Sequence, residues 1–211
     1  MTAVVRERTT GRSAEEATFV LVGGVPGAGK STALAWVAAL LPRARVLDSE
    51  AARRDLRGRV PRGVPYAVYR PVVHARHLAG VARAVLAGPP DGAHGDGAGV
   101  LVVHDPATSR ARRWWWAFLA RRAGWRPVLV MVDAERAEAL SGQEARGRLV
   151  RARAFARHWR RWAAQRAGLV AASGGSAGGW SQVLVVGRQE AVGALLGVVV
   201  EAAPVPVRDA R

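Results

Sequence analysis

The chain has 211 residues, half of them hydrophobic, and a formal net charge of +16 at pH 7. Its length predicts one domain of moderate size. There is no cysteine, which excludes disulfides, thiolate zinc sites and cysteine nucleophiles. No apolar run reaches the ~18 residues of a membrane-spanning helix. We therefore expect a soluble, cytoplasmic protein with no membrane partner.

The excess of positive charge has two explanations. It favours polyanionic partners such as nucleic acid, nucleotides or phosphorylated metabolites. An arginine-rich chain that is also rich in Ala, Gly, Val and Pro is equally typical of a GC-rich genome, so nucleic acid is only a candidate partner. Of the 32 basic residues, Lys30 alone is a lysine. A compact ammonium on a flexible stem suits a position between phosphates better than a planar guanidinium does.

Hydrophobic patterns predict strands and helices that alternate along the chain. The predicted strands are 18–22, 45–47, 100–103, 128–132 and 183–186, and the predicted helices are 30–41, 50–57, 66–87, 109–123, 134–140, 143–167 and 190–202. Short apolar strands between helices indicate a parallel sheet covered on both faces, with ligands bound at the carboxyl ends of the strands. We expect a flexible arm at 1–16, one domain at 17–203, a loop at 88–99 and a flexible tail at 204–211.

A phosphate-binding loop is the strongest motif. Residues 24–32 match G-x-x-x-x-G-K-[ST] between an apolar strand and a helix, which is the context the motif requires. Glycines let backbone N–H groups point at phosphate oxygens, and the helix N-terminus adds partial positive charge. We expect Lys30 to reach the β- and γ-phosphates of ATP and Ser31 to ligate Mg²⁺. The predicted nucleotide-binding residues here are Gly24, Pro26, Gly27, Ala28, Gly29, Lys30, Ser31 and Thr32.

An acidic turn follows the second strand. Phosphoryl transfer needs a carboxylate that accepts the proton of the attacking hydroxyl, and an arginine that holds the acceptor. Glu50, with Arg53 one helical turn later, has this arrangement, and Asp48 is the alternative base. A solvated ion pair at i,i+3 would give the same pattern.

Two later strands also end in a carboxylate. Asp105 ends the third strand, where it could hold magnesium directly or through water. Asp133 ends the fourth strand in the same way. We prefer Asp105 because Thr108, Arg110 and Arg113 follow it closely and could meet phosphate.

An arginine-rich helical lid is predicted at about 142–166. Arg146 and Arg148 are the residues expected to close over the phosphates and stabilise transition-state charge. Further along the segment, arginines at 153, 157 and 160 share one helical face, which is more typical of a solvated basic surface.

Histidines and tryptophans give weaker signals. His74 and His77 lie at i,i+3 and could form a metal site with His158, although acceptor binding or plain packing is the better interpretation. Three consecutive tryptophans at 114–116 cannot all face one side of a helix. Packing is the default role for them, and base stacking is the alternative.

Taken together, the phosphate loop, the Asp48-Ser49-Glu50 turn with Arg53, the strand ending in His104-Asp105 and the arginine lid resemble P-loop kinases related to polynucleotide kinase and zeta toxin. Such sequences are often labelled AAA-family ATP-binding proteins. The resemblance implies a three-layer α/β/α P-loop NTPase fold with a five-stranded, mostly parallel sheet and an arginine-rich helical lid.

The resemblance also implies roles for individual residues. Glu50 would activate the acceptor hydroxyl and Arg53 would bind the acceptor side. Arg146 and Arg148 would contact the ATP phosphates, and Arg188, which follows the last strand, would flank the adenine.

We therefore predict a kinase that uses ATP and Mg²⁺ to phosphorylate a hydroxyl. A polynucleotide 5′-hydroxyl, a nucleotide sugar and a small metabolite are all open as acceptors. The alternative function is an ATP-dependent switch or slow ATPase that acts as a regulatory binding module.

Overall fold

The computed structural model describes residues 16–90, 99–145, 147 and 150–202. The strands are β1 Thr18–Gly23, β2 Arg45–Leu47, β3 Val100–His104, β4 Arg126–Asp133 and β5 Gln182–Gly187. The helices are α1 Lys30–Leu40, α2 Ser49–Arg57, α3 Tyr66–Leu86, α4 Arg110–Arg122, α5 Arg136–Glu144, α6 Ala152–Ala171 and α7 Ala191–Ala202. The expected N-terminal arm (except residue 16), most of the 88–99 loop, the C-terminal tail, Arg146 and Arg148 lie outside the described residues.

The five strands form one parallel sheet in the order β2-β3-β1-β4-β5. Connections between parallel strands are right-handed, so the direction of each step decides which face its helix covers. The step from β1 to β2 runs opposite to the three later steps, which places α1 on one face and the helices between later strands on the other. Consistent with this, α1 packs against α7, whereas α3 packs against α4. The predicted α/β P-loop NTPase-like fold is confirmed.

Apolar strands fill the middle of the molecule. Every residue of β1 is buried, as are 127–132 of β4. Both faces of these strands are covered by helices, which explains why they are continuous apolar runs rather than alternating ones. Of the three tryptophans on α4, Trp116 is buried and the other two are about half exposed, as a helix requires.

The strand order locates the binding crevice. β1 lies between β3 and β4, and the helices after β1 and β3 leave toward opposite faces of the sheet. A crevice therefore opens beyond the carboxyl end of β1, where open α/β sheets bind their ligands. The loop at 24–29 occupies this position.

The single helix predicted at 143–167 is wrong. The structure has two helices here, because α5 ends at Glu144 and α6 begins at Ala152. Gly147 between them has a φ of 60°, a left-handed conformation that ends an α-helix. The sequence is arginine-rich on both sides of this break, so its composition gave no sign that the helix is interrupted. α6 also extends to Ala171, beyond the predicted helix end at residue 167.

Candidate active site

The phosphate loop is held from two sides by backbone contacts. Gly24 N donates to the Pro106 carbonyl at 2.9 Å, on the side of β3. Gly27 has a φ of 96°, and a Cβ at this residue would overlap the Ala139 carbonyl of α5. Only glycine accommodates both the left-handed backbone and this close approach. The glycines of the motif therefore allow the left-handed backbone of the loop and also its close packing against α5.

Lys30 lies under the loop rather than in solvent. Its side chain is only 6% exposed, and Nζ donates hydrogen bonds to the carbonyl oxygens of Gly24 and Val25, each at 2.8 Å. The first turn of α1 contains no acidic residue, so nothing there offsets the positive end of the helix dipole. The ammonium and the helix N-terminus together form an anion-attracting site.

A cavity of about 410 Å³ joins the phosphate loop to the acidic turn. Lys30 and Ser31 of the loop line this cavity together with Glu50 and Arg53. The structure thus brings together the predicted nucleotide-binding and acceptor-binding residues. Other lining residues are Tyr66, Arg70, His74, His104, Gly142 and Gln143.

Asp48 and Glu50, the two candidate bases, have different surroundings. Asp48 caps the N-terminus of α2 by accepting from Glu50 N at 3.3 Å, and its Oδ1 lies 3.0 Å from His104 Nδ1. Burial opposes its ionisation, but the bonds and charge of His104, the Glu50 amide and the Ser49 hydroxyl together hold the pKa of Asp48 below its ordinary value. Glu50 lines the cavity, with Oε1 3.7 Å from Arg53 Nη1.

Helix α3 contributes one face to the cavity. Tyr66, Arg70 and His74 recur every four residues, so they lie above one another on the helix. The Arg53 guanidinium lies 4.4 Å from the centre of the Tyr66 ring. Arg70 Nε donates to His74 Nε2 at 3.2 Å, and burial, followed by the Arg70 charge, lowers the pKa of His74. Sequence analysis missed Tyr66 and Arg70, although their spacing with His74 was a usable signal.

The two aspartates that end strands are both bound by protein groups. Asp105 is 2% exposed, with Oδ1 accepting from Ala107 N and Oδ2 from Arg112 Nε, each at 2.7 Å. Asp133 accepts from Trp162 Nε1 at 3.0 Å and from Arg166 Nε at 2.8 Å, which anchors α6 to the end of β4. The role of Asp105 in magnesium binding stays a prediction.

Residues after Asp105 also bind protein groups. Thr108 Oγ1 lies 2.9 Å from His158 Nδ1, and the buried Arg113 donates to the Ala107 carbonyl at 2.7 Å. Both contacts fasten the end of β3 to neighbouring helices. Thr108 and Arg113 therefore provide less support for a phosphate contact near Asp105 than their sequence position suggested.

No cluster of three or more His, Cys, Asp or Glu side chains suited to a metal ion is found in the part of the chain that the structure describes. The three histidines at 74, 77 and 158 do not form one. Magnesium commonly binds through one or two protein oxygens together with substrate phosphates and water, and needs no all-protein cage. The Ser31 hydroxyl, which lines the cavity beside Lys30, fits an ion of that kind.

Gln143 connects the phosphate loop to the segment between α5 and α6. Its side chain is buried, Nε2 donates to the Pro26 carbonyl at 3.2 Å, and Oε1 accepts from Val150 N at 2.8 Å. Sequence analysis missed this residue because its partner in the phosphate loop lies far away in sequence. One side chain therefore bonds both the phosphate loop and Val150, just before α6.

Arg188 lies beside the phosphate loop on the side away from the acidic turn. Its Nη1 donates to the Glu138 carbonyl at 3.5 Å, and its Cγ would be 3.1 Å from a Cβ built on Gly29. This position is compatible with a base contact at the nucleotide end, which stays a prediction.

Comparison with known proteins identifies the family. The family model described as an AAA domain, AAA_33, matches residues 19–169. The chain belongs to this family. The match confirms the resemblance to P-loop proteins that the sequence motifs indicated, and membership implies that the chain binds a nucleotide. No curated protein matches the chain at a significant level of sequence similarity.

Solved structures share the fold at low identity. A gluconokinase from Sinorhizobium meliloti 1021 has a TM-score of 0.54 and 16% identity, over 90% of this chain and 95% of its own. The tunicamycin resistance protein of Deinococcus radiodurans has a TM-score of 0.51 and 16% identity, over 87% and 95%. These similarities show the fold. Within the described residues, none of the helices has the length and apolar character to cross a membrane.

Proposed function

We propose that this protein is an ATP-dependent kinase that transfers the γ-phosphoryl group to a hydroxyl acceptor. The observation that carries the proposal is the shared cavity, where a phosphate loop and a carboxylate–arginine pair face the same space. Nucleotide binding alone would not require Glu50 and Arg53 opposite the loop. Phosphoryl transfer does, since the acceptor must be held and deprotonated beside the γ-phosphate.

In this mechanism the loop N–H groups and Lys30 bind the triphosphate. Lys30 Nζ, now bonded to two loop carbonyls, would donate to the β- and γ-phosphate oxygens and offset charge that grows in the transition state. Bound through Ser31 and the phosphates, magnesium would supply further neutralisation of that charge. Arg146 and Arg148 are proposed to contact the phosphates from the lid.

Glu50 is the proposed general base. The acceptor oxygen forms a bond to the γ-phosphorus as the bond from that phosphorus to the β-phosphate oxygen breaks, and the hydroxyl proton passes to Glu50. The products are ADP and the phosphorylated acceptor. Arg53, whose Nη1 lies 3.7 Å from Glu50 Oε1, would hold the acceptor beside this carboxylate. Asp48 is the weaker candidate, because its Oδ1 already caps α2 and lies beside His104.

The test is transfer of γ-labelled phosphate from ATP, with magnesium, to a panel of 5′-hydroxyl DNA and RNA, nucleotide sugars and a metabolite extract. The Lys30→Ala variant serves as the blank. Label in one acceptor, absent with the blank, supports the kinase. Label that appears only as free phosphate, or nowhere although ATP binds, contradicts it and favours the switch.

A further inference from the structure

A second cavity, of about 550 Å³, lies beside the first one. Glu50, Arg53 and Tyr66 line both cavities, so the two spaces meet at the proposed base. The second cavity continues along α2 to Arg54 and Arg57. We call it the arginine cavity. It lies on the acceptor side of the site, since its lining includes no residue of the phosphate loop.

Its walls are held together by contacts between α2 and the start of α3. Arg57 Nη1 donates to the Val64 carbonyl at 3.3 Å, which ties the end of α2 to the loop before α3. Tyr66 packs edge-on against the buried Tyr69, with ring centres 5.2 Å apart. Two packed tyrosine rings and three arginines therefore line the same cavity.

The charge of this cavity is strongly positive. Glu50 is its one carboxylate among the described residues, and that carboxylate is offset by Arg53. Asp55, the remaining acid on α2, lies outside the cavity lining and pairs with Arg59 at 3.1 Å and Arg76 at 3.2 Å. No carboxylate of the described chain pairs with Arg54 or Arg57. Apart from the bond of Arg57 Nη1 to the Val64 carbonyl, the N–H groups of these two guanidinium groups can donate to an anion at this site.

We propose that the arginine cavity binds an anionic group of the acceptor, a phosphate or a carboxylate, while the acceptor hydroxyl faces Glu50. The substrate class is then an acceptor that carries its hydroxyl and its anion in one molecule. Guanidinium forks bind phosphate and carboxylate oxygens in pairs, which would fix the direction in which the acceptor lies. This proposal rests on the proposed kinase function and narrows it.

The direct test measures anion binding without any phosphoryl transfer. The protein is saturated with a non-hydrolysable ATP analogue and magnesium, which fills the phosphate loop, and is titrated by calorimetry with pyrophosphate and separately with succinate. The variant removes both guanidinium groups, Arg54→Gln with Arg57→Gln. The matched control removes two exposed arginines outside the lining, Arg43→Gln with Arg62→Gln.

We expect one of the two anions to bind to the wild type and the control, and to lose about tenfold or more in affinity in the R54Q/R57Q variant. Binding of pyrophosphate would identify the anionic group of the acceptor as a phosphate, and binding of succinate would identify it as a carboxylate. Absence of binding by both anions, or equal binding by the wild type and R54Q/R57Q, overturns the proposal. Melting temperatures of both variants check that the fold is intact.

A kinetic test separates this proposal from the kinase itself. With the acceptor found in the labelled-phosphate panel, R54Q/R57Q should raise KM for the acceptor about tenfold while KM for ATP changes less than about twofold. An unchanged acceptor KM would reject the arginine cavity and leave the kinase standing. Anion binding in the calorimeter without transfer to any acceptor would reject the kinase instead.

Discussion

The two ends of the main cavity are built from different materials. At the nucleotide end, the phosphate loop is shaped by backbone, with glycines in left-handed conformations and a buried lysine bonded to two carbonyl groups. At the acceptor end, side chains from α2 and α3 provide the surface. Backbone geometry is fixed by a few consecutive residues, whereas a side-chain surface depends on how two helices pack. Binding of ATP should therefore be the more constrained property, and the choice of acceptor the more variable one.

Lys30 should show the largest effect at the nucleotide end. Lys30→Ala removes the ammonium that would face the phosphates, and we expect phosphoryl transfer to fall about 10²–10³-fold, as measured with γ-labelled ATP. Lys30→Arg keeps the charge, but a planar guanidinium does not fit between two carbonyls that each lie 2.8 Å from Nζ. Near-normal transfer by Lys30→Arg would contradict this account of the loop.

Gly27 tests whether backbone shape governs the nucleotide end. Gly27→Ala places a Cβ against the Ala139 carbonyl at a φ of 96°, and should cost about 1–3 kcal/mol in stability or in ATP binding. Gly63→Ala is the matched control, because Gly63 has a φ of 97° with no atom near its would-be Cβ. Chemical denaturation and ATP titration of both variants separate steric overlap from backbone strain. Equal losses in the Gly27→Ala and Gly63→Ala variants would mean that backbone strain, and not overlap with the Ala139 carbonyl, causes the loss.

Arg188 should have a moderate effect confined to the nucleotide. Arg188→Ala removes the side chain that lies over Gly29, and we expect KM for ATP to rise about threefold to tenfold if the guanidinium contacts the base. The acceptor KM should stay unchanged. Arg136→Ala, at an exposed residue of α5, is the control. An unchanged KM for ATP in Arg188→Ala would remove Arg188 from the nucleotide site.

Substitution of Asp48 should have the smallest effect, and that effect should be on the pH dependence of the unfolding free energy. Its pKa is lowered below the ordinary value of 3.8, so the stability that its ionised form contributes is present above about pH 3.8 and is lost as the pH falls further. Asn also caps helices well, so Asp48→Asn removes the charge while keeping a cap. We expect Asp48→Asn to lower the unfolding free energy by about 1–2 kcal/mol at neutral pH.

Urea denaturation at several pH values measures this difference. This difference in unfolding free energy should shrink as the pH falls below 3.8, because the carboxyl is protonated first in the unfolded chain and then, below its lowered pKa, in the folded protein. Asp55→Asn, at an exposed ion pair of α2, is the control and should cost less than about 1 kcal/mol. A wild-type–Asn difference that stays constant down to low pH would show that the ionised carboxylate does not stabilise α2.

The same contrast explains what the sequence could predict. The strands, their parallel arrangement and the phosphate loop follow from local patterns, since apolar runs and glycine spacing are properties of neighbouring residues. Tyr66 and Arg70 escaped notice because their proximity to Glu50 depends on how α3 packs against α2. Gln143 escaped for a similar reason, as its partner Pro26 belongs to a distant segment of the chain.

The sequence pattern alone also could not decide between two carboxylates that occupy similar positions. Asp105 and Asp133 both follow an apolar strand, and both accept an arginine N–H in the structure. Asp48 and Glu50 are two residues apart, yet only Glu50 lines the cavity, because Asp48 is used as the helix cap. Part of each difference comes from partners that are distant in sequence, namely His104 beside Asp48 and the α6 side chains that bind Asp133.

The most direct test of the central claim is the fate of the γ-phosphate in Glu50→Gln. ATP binding, transfer to the identified acceptor and release to water are measured in parallel for this variant and the wild type. We predict that Glu50→Gln binds ATP within about twofold of the wild type but transfers phosphate to the acceptor at least about 100-fold more slowly. Transfer at the wild-type rate would contradict the assignment of Glu50 as the base opposite the phosphate loop.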